Sequence, residues 1–244
     1  MGGALVVAFV GCSGDDDDDT VSPTRAPTET ESASPATATT PAASAIATPL
    51  SCVVTPSIEE GPFFVDELLN RSDIRSDPGT GVEAQGVPVT LRFTVSQVDS
   101  AGVCTPLSGA TVDVWQADAN GLYSDEASEG TAGQKYLRGY QTTDANGQVE
   151  FISIFPGWYS GRTPHTHVKV RMNPTGDQGL EFTSQLYYDE AIREQVYQQA
   201  PYSSRGSPDT TNSTDRIYTS DTQLSLTPQG DGYVGTLHIG VEAV

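Results

Sequence analysis

The feature that most constrains this chain is a series of short segments in which apolar and polar side chains alternate. Residues 87–95 and 110–117 keep this period, and 136–142, 148–154, 165–172, 182–186 and 233–241 are further strand candidates. Side chains two apart in a β-strand project from one face, so the alternation predicts strands with one face turned to a core. Between them stand Asp118-Ala119-Asn120-Gly121, Asp144-Ala145-Asn146-Gly147 and Asn173-Pro174-Thr175-Gly176, which favour tight turns. Many short strands joined this way predict an all-β fold, an antiparallel β-sandwich with long loops. One short helix is expected over 189–198, where Ala191, Ile192, Gln195 and Val196 are spaced for a single face.

The strand pattern begins only after residue 50. Residues 13–50 hold almost no large apolar side chain; five aspartates at 15–19 are followed by Ser, Thr, Pro and Ala repeats. Such a composition cannot bury enough surface to offset the entropy of ordering, so a disordered linker is expected there. Ahead of it, the apolar run 4–10 is too short to span a bilayer and leads into Gly11 and Cys12. An apolar segment ending in a small residue and then Cys resembles a bacterial lipoprotein signal, with Cys12 lipidated. On this reading the chain divides into a signal segment at 1–12, a linker at 13–50 and a folded domain at 51–244. The domain would be extracytoplasmic, touching the membrane only through a lipid anchor at Cys12. Outside the cytoplasm Cys52 and Cys104 can pair, closing a loop of about 50 residues worth on the order of 3–4 kcal/mol. Two unpaired, half-buried thiols are the other reading. The formal charge of −20, from 32 acidic and 12 basic residues, repels phosphate backbones and argues against nucleic acid as a partner.

Two of the three histidines, His165 and His167, are one residue apart at the start of a predicted strand. Period-2 geometry puts both rings on one face, close enough to share a metal ion; a chance surface pair is the bland alternative. Tyr159 and Arg162 fall just upstream, in a turn punctuated by Gly and Pro, and Tyr123 closes the segment that follows Trp115. A phenolate is a hard anionic donor and imidazole a borderline one. Two of each suit Fe(III) better than zinc. His238 is expected to be an ordinary strand side chain, Trp115 a core residue, and Trp158 a residue lining the pocket.

From about Thr55 to about Tyr188 the chain resembles the intradiol ring-cleavage dioxygenases, which include catechol, protocatechuate and hydroxyquinol dioxygenases. Four blocks in order carry the resemblance: residues 55–64, residues 109–118 on to Tyr123, Pro156-Gly157 through His167, and residues 183–188. The resemblance implies that Tyr123, Tyr159, His165 and His167 ligate a non-haem Fe(III), Tyr159 being displaced when substrate binds. It implies that Arg162 faces the bound ring, that Gln185 helps position it, and that Gly61 and Pro62 reach the pocket from the N-terminal side. The implied activity is insertion of O2 between the two hydroxyl-bearing carbons of a small aromatic diol, giving a cis,cis-muconate-type product. The alternative is a non-catalytic cell-surface binding module that retains the metal site. Two departures stand out. Only Ser160 and Gly161 separate Tyr159 from Arg162, a shorter insert than in protocatechuate enzymes. The long helical N-terminal segment of catechol and hydroxyquinol enzymes has no counterpart, which leaves the oligomeric state open.

Overall fold

The computed structural model describes residues 53–172 and 179–243. Within them the chain forms β1 (Pro88–Val98), β2 (Cys104–Pro106), β3 (Thr111–Gln116), β4 (Arg138–Thr142), β5 (Gln148–Ile154), β6 (His165–Met172) and β7 (Leu180–Tyr187). The helix α1 (Glu190–Tyr197) follows, then β8 (Ser225–Gln229) and β9 (Gly232–Glu242). The fold is the expected all-β sandwich of two sheets. One sheet runs β2-β1-β9-β8, with β5 also paired to β1; the other runs β4-β3-β6-β7. Among the described residues every pairing between named strands is antiparallel but one, since β9 lies parallel to β1 over Val89 to Val98. A parallel neighbour needs a long connection, and everything from β2 to β8 supplies it.

The alternation does what its period requires. Val89, Leu91, Phe93 and Val95 of β1 share the main core with Val112 and Val114 of β3, Val168 and Val170 of β6, and Leu186 of β7. Inside it, Gln116 Nε2 donates to the Ile154 carbonyl at 2.8 Å, while Thr166 Oγ1 bonds Gln116 Oε1 at 2.8 Å and Tyr188 Oη at 2.7 Å. The polar atoms of this contact between the sheets are therefore partnered.

The out-of-phase residues of the second sheet are Asp113 and Trp115, then His165, His167 and Lys169, then Gln185 and Tyr187, and all are buried. This sheet is thus covered on both faces. Its outer cover is the segment before β1: Phe64 packs on Trp115 with ring centroids 4.8 Å apart, and Phe63 stacks on Tyr123 at 4.2 Å. Lys169 pairs with Glu60 and Glu181, and its Nζ sits 4.2 Å over the Phe64 ring.

Two details differ from expectation. The buried face of α1 is Arg193, Val196 and Tyr197, while Ala191 and Gln195 are exposed. The large ring sets the rotation: Tyr197 stacks on Tyr202 at 5.3 Å and its Oη donates to the Pro156 carbonyl at 2.9 Å. The helix starts where Asp189 accepts from Ile192 N. β2 and β8 carry no period to read, being a three-residue strand and a largely exposed one containing Pro228, both at sheet margins. Cys104, in β2, is disulfide-bonded. Its expected partner Cys52, the segments 1–12 and 13–50 with Cys12, and the turn at 173–176 lie outside the described residues. No helix among the described residues is long and apolar enough to cross a membrane.

Candidate metal centre

β6 delivers the two imidazoles. His165 and His167 point to the outer face of the second sheet, and their Nε2 atoms face each other at 3.1 Å. The strand register places Trp115 opposite His167 on one side and Gln185 on the other, with Tyr187 opposite His165. The Trp115 ring lies flat on the His167 ring, centroids 4.7 Å apart and 7° from parallel. Trp115 is thus buried as expected, but in a second cluster with Ala117 and Tyr123 and not in the main core.

The two phenols come from loops. Tyr123 follows β3, its N–H donating to Glu129 Oε2 at 2.6 Å and its carbonyl accepting from Thr131 Oγ1 at 2.5 Å. Tyr159 lies on the connection from β5 to β6. These loops touch backbone to backbone through two glycines. A Cβ on Gly121 would lie 2.0 Å from the Trp158 carbonyl oxygen, and one on Gly157 would lie 2.3 Å from that of Asp118. Only residues without a side chain allow this approach. As a result Tyr123 Oη lies 3.1 Å from His167 Nε2, and Tyr159 Oη lies 3.3 Å from His165 Nε2.

Arg162 stands next to the four donors. Its Nε donates to Asp215 Oδ2 at 2.9 Å, and its Nη2 reaches Gln185 Oε1 and, at 3.4 Å, Tyr187 Oη. Gln185 is held from the other end, Nε2 donating to the Glu59 carbonyl at 2.9 Å. Gly61, at φ +74°, passes over His167, where a Cβ would sit 3.4 Å from Cε1; Pro62 beside it is exposed. Trp158 packs against the main core with the Arg205 guanidinium 4.8 Å over its ring. His238 is a strand side chain far from these residues in the fold, on β9, bonded to Ser96 Oγ at 2.9 Å. Asp215, Phe63, Glu129 and Thr163 were not singled out from sequence. Nothing distinguishes Asp215 among 32 acidic residues until the chain is folded.

Burial governs the ionisation of the cluster. Burial, then the neighbouring Tyr159 phenol, pushes the Tyr123 phenol well above its ordinary range, and burial raises Tyr159 too, although Arg162 opposes it. Burial, then the Arg162 charge, lowers His165 to about 3, and burial with the adjacent His165 depresses His167 well below 6.5. Unaided, the cluster is therefore neutral. The Thr163 carbonyl can only accept, so at 2.7 Å from His165 Nδ1 it puts the proton there and leaves the Nε2 lone pair facing the centre. His167 Nδ1 is buried without a hydrogen-bond partner among the described residues. Two lone-pair nitrogens and two ionisable phenols fit a hard, highly charged ion, whose field would offset the cost of burying two phenolates. Among the described residues no group of three or more His, Cys, Asp or Glu is placed to hold a metal.

Two imidazoles, two phenols and a guanidinium thus gather over the outer face of one sheet of a β-sandwich. Residues 59–188 match the model of the Dioxygenase family, and the chain belongs to the intradiol ring-cleavage dioxygenases. It is 30% identical over 130 residues to catechol 1,2-dioxygenase 1 of Acinetobacter lwoffii, covering 51% of this chain and 38% of that protein. It is 30% identical over 155 residues to chlorocatechol 1,2-dioxygenase of Rhodococcus opacus, covering 55% and 56%. The chain thus spans little more than half, or less, of these relatives' lengths. Among solved structures, an intradiol ring-cleavage dioxygenase from Tetranychus urticae superposes with a TM-score of 0.67 at 28% identity, over 78% of this chain and 95% of that one.

Proposed function

We propose that this chain is a non-haem Fe(III) dioxygenase that cleaves a catechol-type ring between its two hydroxyl-bearing carbons. The supporting observation is the convergence of four donor atoms, from Tyr123, Tyr159, His165 and His167, beside a buried guanidinium. These four side chains would hold the ion. Bound there, Fe(III) would supply Lewis acidity, favouring the deprotonated form of a substrate hydroxyl.

The protein's own groups do the remaining work. Tyr159 is half-buried while the other three donors are buried, so it is the donor with room to give way to a diol. Its Oη is then placed to accept the second hydroxyl proton. Arg162 holds a positive charge, fixed by its contact with Asp215, beside the ring as negative charge grows on it. Gln185 steadies that guanidinium, and Phe63, Phe64 and Trp115 keep water from the back of the centre. The product is a cis,cis-muconate-type diacid, and the ring class follows from relatives named for catechol and chlorocatechol. Export, the linker at 13–50 and lipid attachment at Cys12 belong to the same proposal on the strength of the N-terminal sequence.

Purified protein tests this directly. Bound iron near one per chain, a red-brown phenolate charge-transfer colour that shifts on adding catechol, and oxygen uptake with diacid formation are expected. Colourless protein without stoichiometric iron would defeat the proposal and favour the non-catalytic binding module.

A further inference from the structure

The chain between α1 and β8 closes onto the turn that links Tyr159 to His165. Asp209 accepts from Ser160 Oγ at 2.7 Å and from Gly161 N at 3.0 Å. Asn212 Oδ1 accepts from Thr163 Oγ1 at 2.7 Å. Asp215, its side chain fully buried, accepts with Oδ2 from both Arg162 Nε at 2.9 Å and Thr163 N at 3.0 Å, and with Oδ1 from Ile217 N at 3.0 Å. Thr163 in turn accepts from His165 Nδ1 at 2.7 Å. One carboxylate oxygen therefore stands behind both the side chain proposed to face the substrate and one proposed to hold the ion.

We propose that Asp215 is a positioning residue, orienting the Arg162 guanidinium and the His165 ring together. The guanidinium is planar, so a bond to Nε sets its plane. Nη2 then falls to Gln185 and Tyr187, and the guanidinium also faces the Tyr159 phenol. The second branch runs through the backbone. Pro164 offers no N–H and biases the residue before it towards an extended backbone, so the bond to Asp215 helps decide where the Thr163 carbonyl points. That carbonyl selects the tautomer and tilt of His165, and outer partners of this kind typically change metal affinity or activity 10- to 100-fold.

The inference draws its catalytic readout from the proposed function, but a structural readout stands apart from it. In metal-free 15N-labelled protein, long-range proton–nitrogen correlation should show His165 as the Nδ1–H tautomer alone. Asp215→Asn keeps an oxygen for Thr163 N but no charge for Arg162; Asp215→Ala keeps neither. The Asn variant should keep the tautomer and the iron yet lose about tenfold or more in turnover with catechol. The Ala variant should show mixed tautomers and bind Fe(III) about 10- to 100-fold more weakly. Both variants matching wild type in tautomer, iron affinity and turnover per bound iron, and differing only in unfolding midpoint, would reduce Asp215 to a stabilising ion pair. If wild type shows no ring cleavage, that sinks the proposed function, while the tautomer comparison still decides Asp215.

Discussion

Tyr159 differs from the other donors in exposure and in what carries it. His165 and His167 are set in a strand covered on both faces, and Tyr123 is stacked under Phe63. Tyr159 sits on a turn whose remaining residues are tied down by Asp209 and Asp215. Replacing it with Phe removes one phenol oxygen while keeping the ring's edge contact with Phe63. Turnover should fall by about 10²-fold or more, and the charge-transfer band should weaken while the unfolding midpoint barely moves. The Asp215 carboxyl carries a pH prediction. Burial alone would raise it, but the N–H groups of Ile217 and Thr163 and the Arg162 guanidinium more than offset this, so it lies below 3.8. Its contribution to stability is full above 3.8 and is lost as pH falls through the lowered folded value. Urea midpoints of metal-free protein should drop in that acid window, and less steeply in Asp215→Asn.

At the level of elements, two loops and one strap make the site from a sheet face. The Tyr123 and Tyr159 loops meet where Gly121 and Gly157 lack side chains. In Gly157→Ala the new methyl collides with a backbone oxygen, and that oxygen cannot swing aside as a flexible side chain would. Overpacking of this kind should cost about 1–3 kcal/mol in urea unfolding and loosen iron binding by spreading the two phenols. The strap before β1 is held through Lys169, whose side chain is 6% exposed, whereas its partners Glu60 and Glu181 are 37% and 63% exposed. Both glutamates can return to water. Lys169→Ala should therefore cost less than the usual penalty for stranding a buried charge, about 1–3 kcal/mol, and should quicken proteolysis between residues 59 and 66.

Across the whole molecule, the second sheet has to satisfy two burial demands, a dry core inside and a donor cluster outside. An ion that binds only the folded chain stabilises it by mass action, about 2.7 kcal/mol at a hundred times its dissociation constant. Removing the proposed iron with a chelator should lower the melting temperature and leave the strand signal in circular dichroism unchanged. The period-2 pattern was legible from the chain alone because it follows from backbone geometry; together with the turn signals it marked seven of the nine strands among the described residues and the His165–His167 face. The blocks from Tyr123 to Gln185 were legible too, as a resemblance. The parallel seating of β9, the true face of α1 and the edge strands β2 and β8 were not, because long-range packing decides them. Nor was the pairing of Arg162 with Asp215, 53 residues apart. Local alternation says which side chains share a face. What covers that face, and which acid among 32 meets a given cation, depends on how distant segments close over it, and only the folded chain decides that.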